Sequence, residues 1–117
     1  MLTITKEQLA IFREPAIEVF VKKVLVHLNK CFPEKCKEMS EQVEKLVRYG
    51  IGRAAGYDIR AERDVVKYID LMMVFGVDFD DDPKLPWASR ILNDPNLPLP
   101  RRKIWELNNA AKHYSHE

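Results

Sequence analysis

Glu62-Arg63-Asp64-Val65-Val66-Lys67-Tyr68-Ile69-Asp70-Leu71-Met72-Met73-Val74-Phe75-Gly76-Val77-Asp78-Phe79-Asp80-Asp81-Asp82-Pro83 reads as a helix running into an acidic loop. At 3.6 residues per turn, Val65, Ile69, Met72 and Met73 fall on one face, and Tyr68, Leu71 and Phe75 fall on another. Only Arg63, Lys67 and Asp70 make a polar stripe. A helix that is apolar almost all round has to be enclosed on most sides, so this segment, about 61–75, is expected at the centre of a helical domain. Glu62 and Asp64 sit in its first turn, where the helix dipole favours carboxylates, and Gly76 takes the C-terminal capping position. Asp70 is placed to pair with Arg63 or Lys67 along the polar stripe.

Upstream, Thr5 and Gln8 have capping-box spacing. Leu9, Phe12, Ala16, Phe20, Val24, Leu28 and Cys31 then recur every three or four residues. Pro15 interrupts this long amphipathic pattern, where it removes a backbone donor, so the first helix is expected to kink near Arg13 or to split there. Phe32-Pro33 ends it, and a short helical turn over Glu34 to Met39 follows. Ser40 is the expected N-cap of a helix carrying Val43, Leu46, Val47, Ile51 and Ala54 in register and ending near Gly56-Tyr57. Its small residues, Gly50, Gly52, Ala54, Ala55 and Gly56, invite close approach by another helix.

Downstream, residues 78–86 are expected as loop, with Phe79 anchored in the core. A short helix from Pro86 through Trp87, Ala88, Ile91 and Leu92 ends at Asp94-Pro95. Pro98 and Pro100 form a connector. A last helix from about Arg101 to Tyr114 places Ile104, Leu107, Ala111 and Tyr114 on one stripe. No β alternation of useful length occurs. The expected architecture is all-α, one domain over residues 1–117, with five or six helices packed around segment 61–75.

The chain has 117 residues, enough to bury roughly two-thirds of the surface that its unfolded form exposes. Its two cysteines, Cys31 and Cys36, are too few and too close for a disulfide framework. With no apolar run near the roughly twenty residues a membrane span requires, a cytoplasmic protein is expected. The net charge of +1 is unevenly spread. Residues 1–60 hold eleven Lys or Arg against eight Asp or Glu, residues 61–82 two against seven, and residues 83–117 six against three. An acidic middle between mildly basic flanks suits a protein partner better than nucleic acid.

Sites of chemistry are scarce. Asp78, Asp80, Asp81 and Asp82 offer hard oxygens, but the alternation, the central glycine and the closing glutamate of an EF-hand are missing, so a solvated loop or one facing a basic partner is expected. His27, Cys31 and Cys36 lack a fourth zinc ligand and read as core, and His113 and His116 make only a loose pair at the chain end. Ser40, Ser89 and Ser115 lie outside any nucleophile elbow, and no phosphate-binding glycine loop or metalloprotease helix occurs. Residues 53–65 have a superficial helix-turn-helix look, but the second helix is apolar and begins with acids, unlike a DNA-reading helix. Arg101-Arg102-Lys103 reads as the exposed start of the last helix. No catalytic residues, cofactor or metal are expected.

Arg53-Ala-Ala-Gly-Tyr-Asp-Ile59, Glu62-Arg-Asp-Val65, Tyr68-Ile-Asp-Leu-Met72, Phe75-Gly-Val-Asp-Phe-Asp80, Leu85-Pro-Trp-Ala88 and Ile91-Leu92 together resemble a family of small helical bacterial proteins. Members of that family are encoded beside the VgrG and PAAR spike components, effectors and adaptor chaperones of type VI secretion. The similarity covers most of the chain and is densest from about 50 to 95. It implies a non-catalytic accessory role, a chaperone or co-chaperone that binds an adaptor, effector or spike protein in the cytoplasm. The candidate contacts are Asp78, Asp80, Asp81 and Asp82 with Trp87 and Trp105, because aromatic anchors ringed by charge are common interface centres. Each tryptophan alone also reads as core. The alternatives are an immunity protein that neutralises a cognate toxin, and a small enzyme or metal-binding protein using Asp70 or the acidic loop.

Overall fold

A computed structural model describes residues 6–115 of the chain, and the side chains of residues 16–113. The protein is all-α. Six α-helices follow in order among the described residues: α1 (Lys6–Cys31), α2 (Pro33–Met39), α3 (Gln42–Gly56), α4 (Glu62–Phe75), α5 (Pro86–Leu92) and α6 (Pro100–Ser115). A single 3₁₀ turn, Phe79–Asp81, lies between α4 and α5, within the stretch expected to be irregular. No strand occurs among the described residues, and none of their helices is long and apolar enough to cross a membrane. The chain divides into two compact units, Met1–Glu44 and Lys45–Glu117.

In the first unit, α1 runs as one helix through position 15, so of the two expected outcomes, a kink near Arg13 or a split there, the split does not occur. A proline forfeits one hydrogen bond of the ladder, and a helix of 26 residues retains the rest. Thr5 of the expected capping box, the side chains of Leu9, Phe12 and Tyr114, and His116 lie outside the described residues. Phe20, Val21, Val24 and Leu28 are buried at the three-and-four spacing read from sequence, and α1 packs on α2. Pro33 opens α2 in the first turn, where its missing N–H costs nothing. Ser40 does not cap α3. It ends α2 instead, with φ 53° and its N–H bonded to the Cys36 carbonyl, a left-handed exit that leaves α3 to begin at Gln42.

In the second unit, α4 is buried as its sequence dictates. Val65, Tyr68, Ile69, Leu71, Met72 and Met73 are all enclosed, and α4 packs on α6 and on the 3₁₀ turn. Leu85, Ala88, Ile91 and Leu92 from the α5 region join Ile104, Leu107 and Ala111 of α6 in the same core. Gly50 shows how closely α3 approaches. A Cβ at that position would lie 2.7 Å from Met72 Sδ and 2.9 Å from Ile69 Cγ1, so only a residue without a side chain fits unless its neighbours shift. Gly76 ends α4 with φ 116° and its N–H bonded to the Met72 carbonyl at 2.8 Å. That left-handed turn sends the chain directly into the acidic segment.

Candidate functional site: an anchored acidic turn and a basic groove

Tyr49 and Arg53 share a face of α3, and Tyr57, four residues further in the turn that follows the helix, stands beside them. Each reaches a carboxylate of the segment after α4. The Tyr49 hydroxyl donates to Asp78 Oδ1 at 2.6 Å, the Arg53 guanidinium pairs with Asp80 Oδ2, and the Tyr57 hydroxyl donates to the same oxygen at 2.7 Å. The Asp80 side chain is fully buried and that of Arg53 is 35% exposed, so the pair is enclosed at its acidic end and wet at its basic end. The Arg53 guanidinium also lies 5.8 Å from the Tyr49 ring centre. Underneath, Phe79 is buried against Tyr68 with ring centres 5.1 Å apart, as the anchoring reading of Phe79 expects.

The end of α3 aims this stripe. Ile59 N–H returns to the Ala54 carbonyl at 2.9 Å, and Asp58 takes φ 68°, a left-handed conformation that a short polar side chain tolerates. Ile59 is thereby buried.

The electrostatics hold protons in place. Burial and the hydrogen bond to Asp80 push Tyr57 up to about 12. Burial, followed by the charge of Asp80, raises Tyr68 further. Burial pulls the Arg53 guanidinium down, but the hydrogen bond and charge of Asp80 outweigh it and hold the group above its ordinary value. The hydrogen bond to Asp78, with a smaller contribution from burial, raises Tyr49. These shifts keep the three phenols protonated and the guanidinium charged near neutral pH. The cluster also has spare bonding capacity, because Tyr68 Oη, Asp80 Oδ1 and Arg53 Nε are buried with no hydrogen-bond partner among the described residues. Groups in this state are costly, each by about 1–3 kcal/mol, and mark a place where packing has been subordinated to geometry.

The four aspartates thus have different roles. Asp80 is a core residue, which corrects the reading of the whole run as a solvated or partner-facing loop: a fixed arginine and tyrosine replace its water. Asp82 is half-buried and accepts the Lys84 N–H at 2.9 Å, shaping the turn. Asp78 and Asp81 are exposed. Together Asp78, Asp81 and Asp82 line an open recess of about 430 Å³ with Arg53 at its edge and Phe75 and Pro83 as apolar walls. Trp87 is half-buried, with its ring edge-on to Phe75 at 5.4 Å between centres, and it supports this region from α5.

Trp105 lies elsewhere. It is 54% exposed on α6, in a second recess of about 420 Å³ between α4 and α6. Arg63, Lys67, Arg101 and Lys112 line that recess, with Asp64 as its one acid. The Arg101-Arg102-Lys103 run is divided among three tasks. Arg101 faces the groove, Arg102 lies 5.0 Å from the Trp105 ring centre and pairs with Glu106 at 3.4 Å, and Lys103 Nζ donates to the Leu92 carbonyl at 2.6 Å, closing the end of α5. The six sequence candidates therefore occupy two places, with Trp105 apart from the other five.

Sequence reading missed Tyr49 and Tyr57. The available signal was the Tyr-x-x-x-Arg-x-x-x-Tyr spacing over residues 49–57, which brings two donors of α3 and one from the turn after it to one side. In the first unit, Cys31 Sγ lies 3.8 Å from His27 Nδ1 and is exposed, whereas Cys36 is buried and burial raises its thiol. No group of three or more His, Cys, Asp or Glu among the described residues is arranged to hold a metal ion.

Comparison with known protein families, curated proteins and solved structures finds no match to this chain.

Proposed function

We propose that the protein is a non-catalytic binding module, a chaperone or co-chaperone of a type VI secretion effector-loading pathway acting in the cytoplasm. In this reading it engages an adaptor, effector or spike component through the acidic turn after α4. One observation supports the binding role above the others. Asp80 is locked to Arg53 and Tyr57, so the neighbouring carboxylates of Asp78, Asp81 and Asp82 are presented around a recess on a fixed base. Carboxylates held in place lose little freedom when a basic surface docks, and opposite charge both steers the encounter and sets its register. The assignment to secretion comes from the resemblance carried by residues 50–95.

The test is a tagged pull-down from the native bacterium at low and moderate salt, read by mass spectrometry, with wild type beside a variant carrying Asn at 78, 81 and 82. Asp80 is left intact because its loss would disturb the turn itself. Recovery of an adaptor, effector or spike protein by wild type, weakened in the variant, is the expected result. Recovery of the protein alone at both salts counts against a stable complex. Equal capture by the variant would remove the acidic turn from the interface.

A further inference from the structure

The two cysteines of the first unit have opposite fates. Cys36 enters the core, whereas Cys31, which continues the apolar register of α1, is exposed at the last residue of that helix. His27 stands one turn before it and is half-buried. Residues four apart on a helix are neighbours, and Cys31 Sγ lies 3.8 Å from His27 Nδ1 and 3.9 Å from Nε2.

That separation has a chemical meaning. Zinc holds a thiolate sulfur at about 2.3 Å and an imidazole nitrogen at about 2.0 Å, so two such ligands at a tetrahedral angle stand about 3.6 Å apart. The pair is within a few tenths of an ångström of that span. Because the sulfur is nearly equidistant from the two ring nitrogens, rotation about χ2 turns either of them toward a shared ion. The imidazole also has an interaction besides Cys31. A metal-bound ring accommodates this, since one nitrogen takes the ion and the other serves a second group.

The surroundings favour a cation. Helix α1 ends at Cys31, and a helix C-terminus carries partial negative charge. Exposure of Cys31 gives an ion a direct path from solvent. One soft sulfur and one imidazole select zinc(II) or another thiophilic transition ion over calcium or magnesium, which take oxygen donors. Two ligands do not close a structural site, so the remaining coordination positions stay with water.

We infer that His27 and Cys31 form a two-ligand chelate for a zinc-class transition ion at the end of α1, with Cys31 binding as the thiolate and releasing its proton to solvent. The site lies in the first unit. It depends neither on the acidic turn nor on the pathway in which the protein takes part.

The probe is cobalt(II), titrated into the reduced full chain and followed by thiolate-to-cobalt charge-transfer absorption in the near ultraviolet. A saturable band is expected, bleached by added zinc. Cys31→Ser should abolish the band, and Cys36→Ala should retain it. His27→Gln should weaken cobalt binding by about tenfold or more, whereas His113→Gln on α6 should leave it within about twofold. If His27→Gln does not give a cooperative melt, the wild-type chain carries that part of the test, with zinc expected to shift the His27 ring resonances in NMR spectra. No saturable band, a band that survives Cys31→Ser, or His27 resonances that zinc leaves unmoved would each overturn the assignment.

Discussion

The acidic turn and the basic groove lie in the same unit, and both are built from charges supported by α4, yet their charges have opposite fates. In the turn, the most acidic stretch of the chain places its central carboxylate in the core, where a guanidinium and a phenol replace water. In the groove, four cations are brought together with one carboxylate among them. The difference shows that a charge run in a sequence does not specify a surface. Whether an ionisable group is used for holding or for recognition depends on whether a partner is presented across the fold. Asp80 has two, Arg53 and Tyr57, whereas the recess between α4 and α6 is lined by four cations and one carboxylate.

The largest expected effect removes what the two regions share. Ile69 is fully buried on α4, and Ile69→Asp places an unpaired charge in the core, costing at least about 4 kcal/mol and abolishing the soluble folded protein. A cooperative melt from that variant would sink the account of α4. Next comes the turn alone. Asp80→Asn leaves Arg53 without its counter-charge. Discounted for the partial exposure of the guanidinium, the loss should be about 2–3 kcal/mol in urea unfolding. A change below about 0.5 kcal/mol would mean that the turn is not held by this pair.

Alkaline pH probes the same brace without mutation. Tyr57 is raised in the folded state from its ordinary 10.0 to about 12, so its contribution to stability is complete below pH 10 and is lost as pH climbs through that interval. Wild type should lose stability between these values more steeply than Tyr57→Phe, as followed by denaturant midpoint against pH. Parallel curves would detach Tyr57 from the brace. The smallest effects are expected at the exposed ends. Lys67→Gln in the groove should shift stability by no more than about 0.5 kcal/mol, on the stabilising side because repulsion falls. Tyr49→Phe should cost about 0.5 kcal/mol by losing an exposed hydrogen bond to Asp78. A large loss from Lys67→Gln would show that the groove cations are structural after all, and the contrast between the two regions would collapse.

The helices were legible in the sequence because each leaves a local trace. Segment 62–75 carries a hydrophobic period, Gly76 a stop, Pro86 a start, and the small residues around Gly50 an expectation of close packing that Met72 and Ile69 fulfil. Ser40 misled because serine is chemically suited to begin a helix, and nothing local distinguishes that role from ending the one before. The sites were less legible because their partners are remote. Asp78 and Asp80 bond to residues 29, 27 and 23 positions upstream, and no pattern within the acidic run anticipates this. Dividing the chain into blocks by net charge concealed the groove, since Arg63 and Lys67 belong to the most acidic block and act beside the basic one.

Gly50 lies between Tyr49 and Arg53 in the sequence and sets the gap between α3 and α4. A methyl group inserted there would press on Met72 Sδ and Ile69 Cγ1, and unless those side chains shift it would lever the donor stripe away from the turn it grips. The width of one absent side chain is therefore the gauge to which the Arg53–Asp80 clasp is set. Altering that gauge would detune the acidic recess from a distance, with every carboxylate still present.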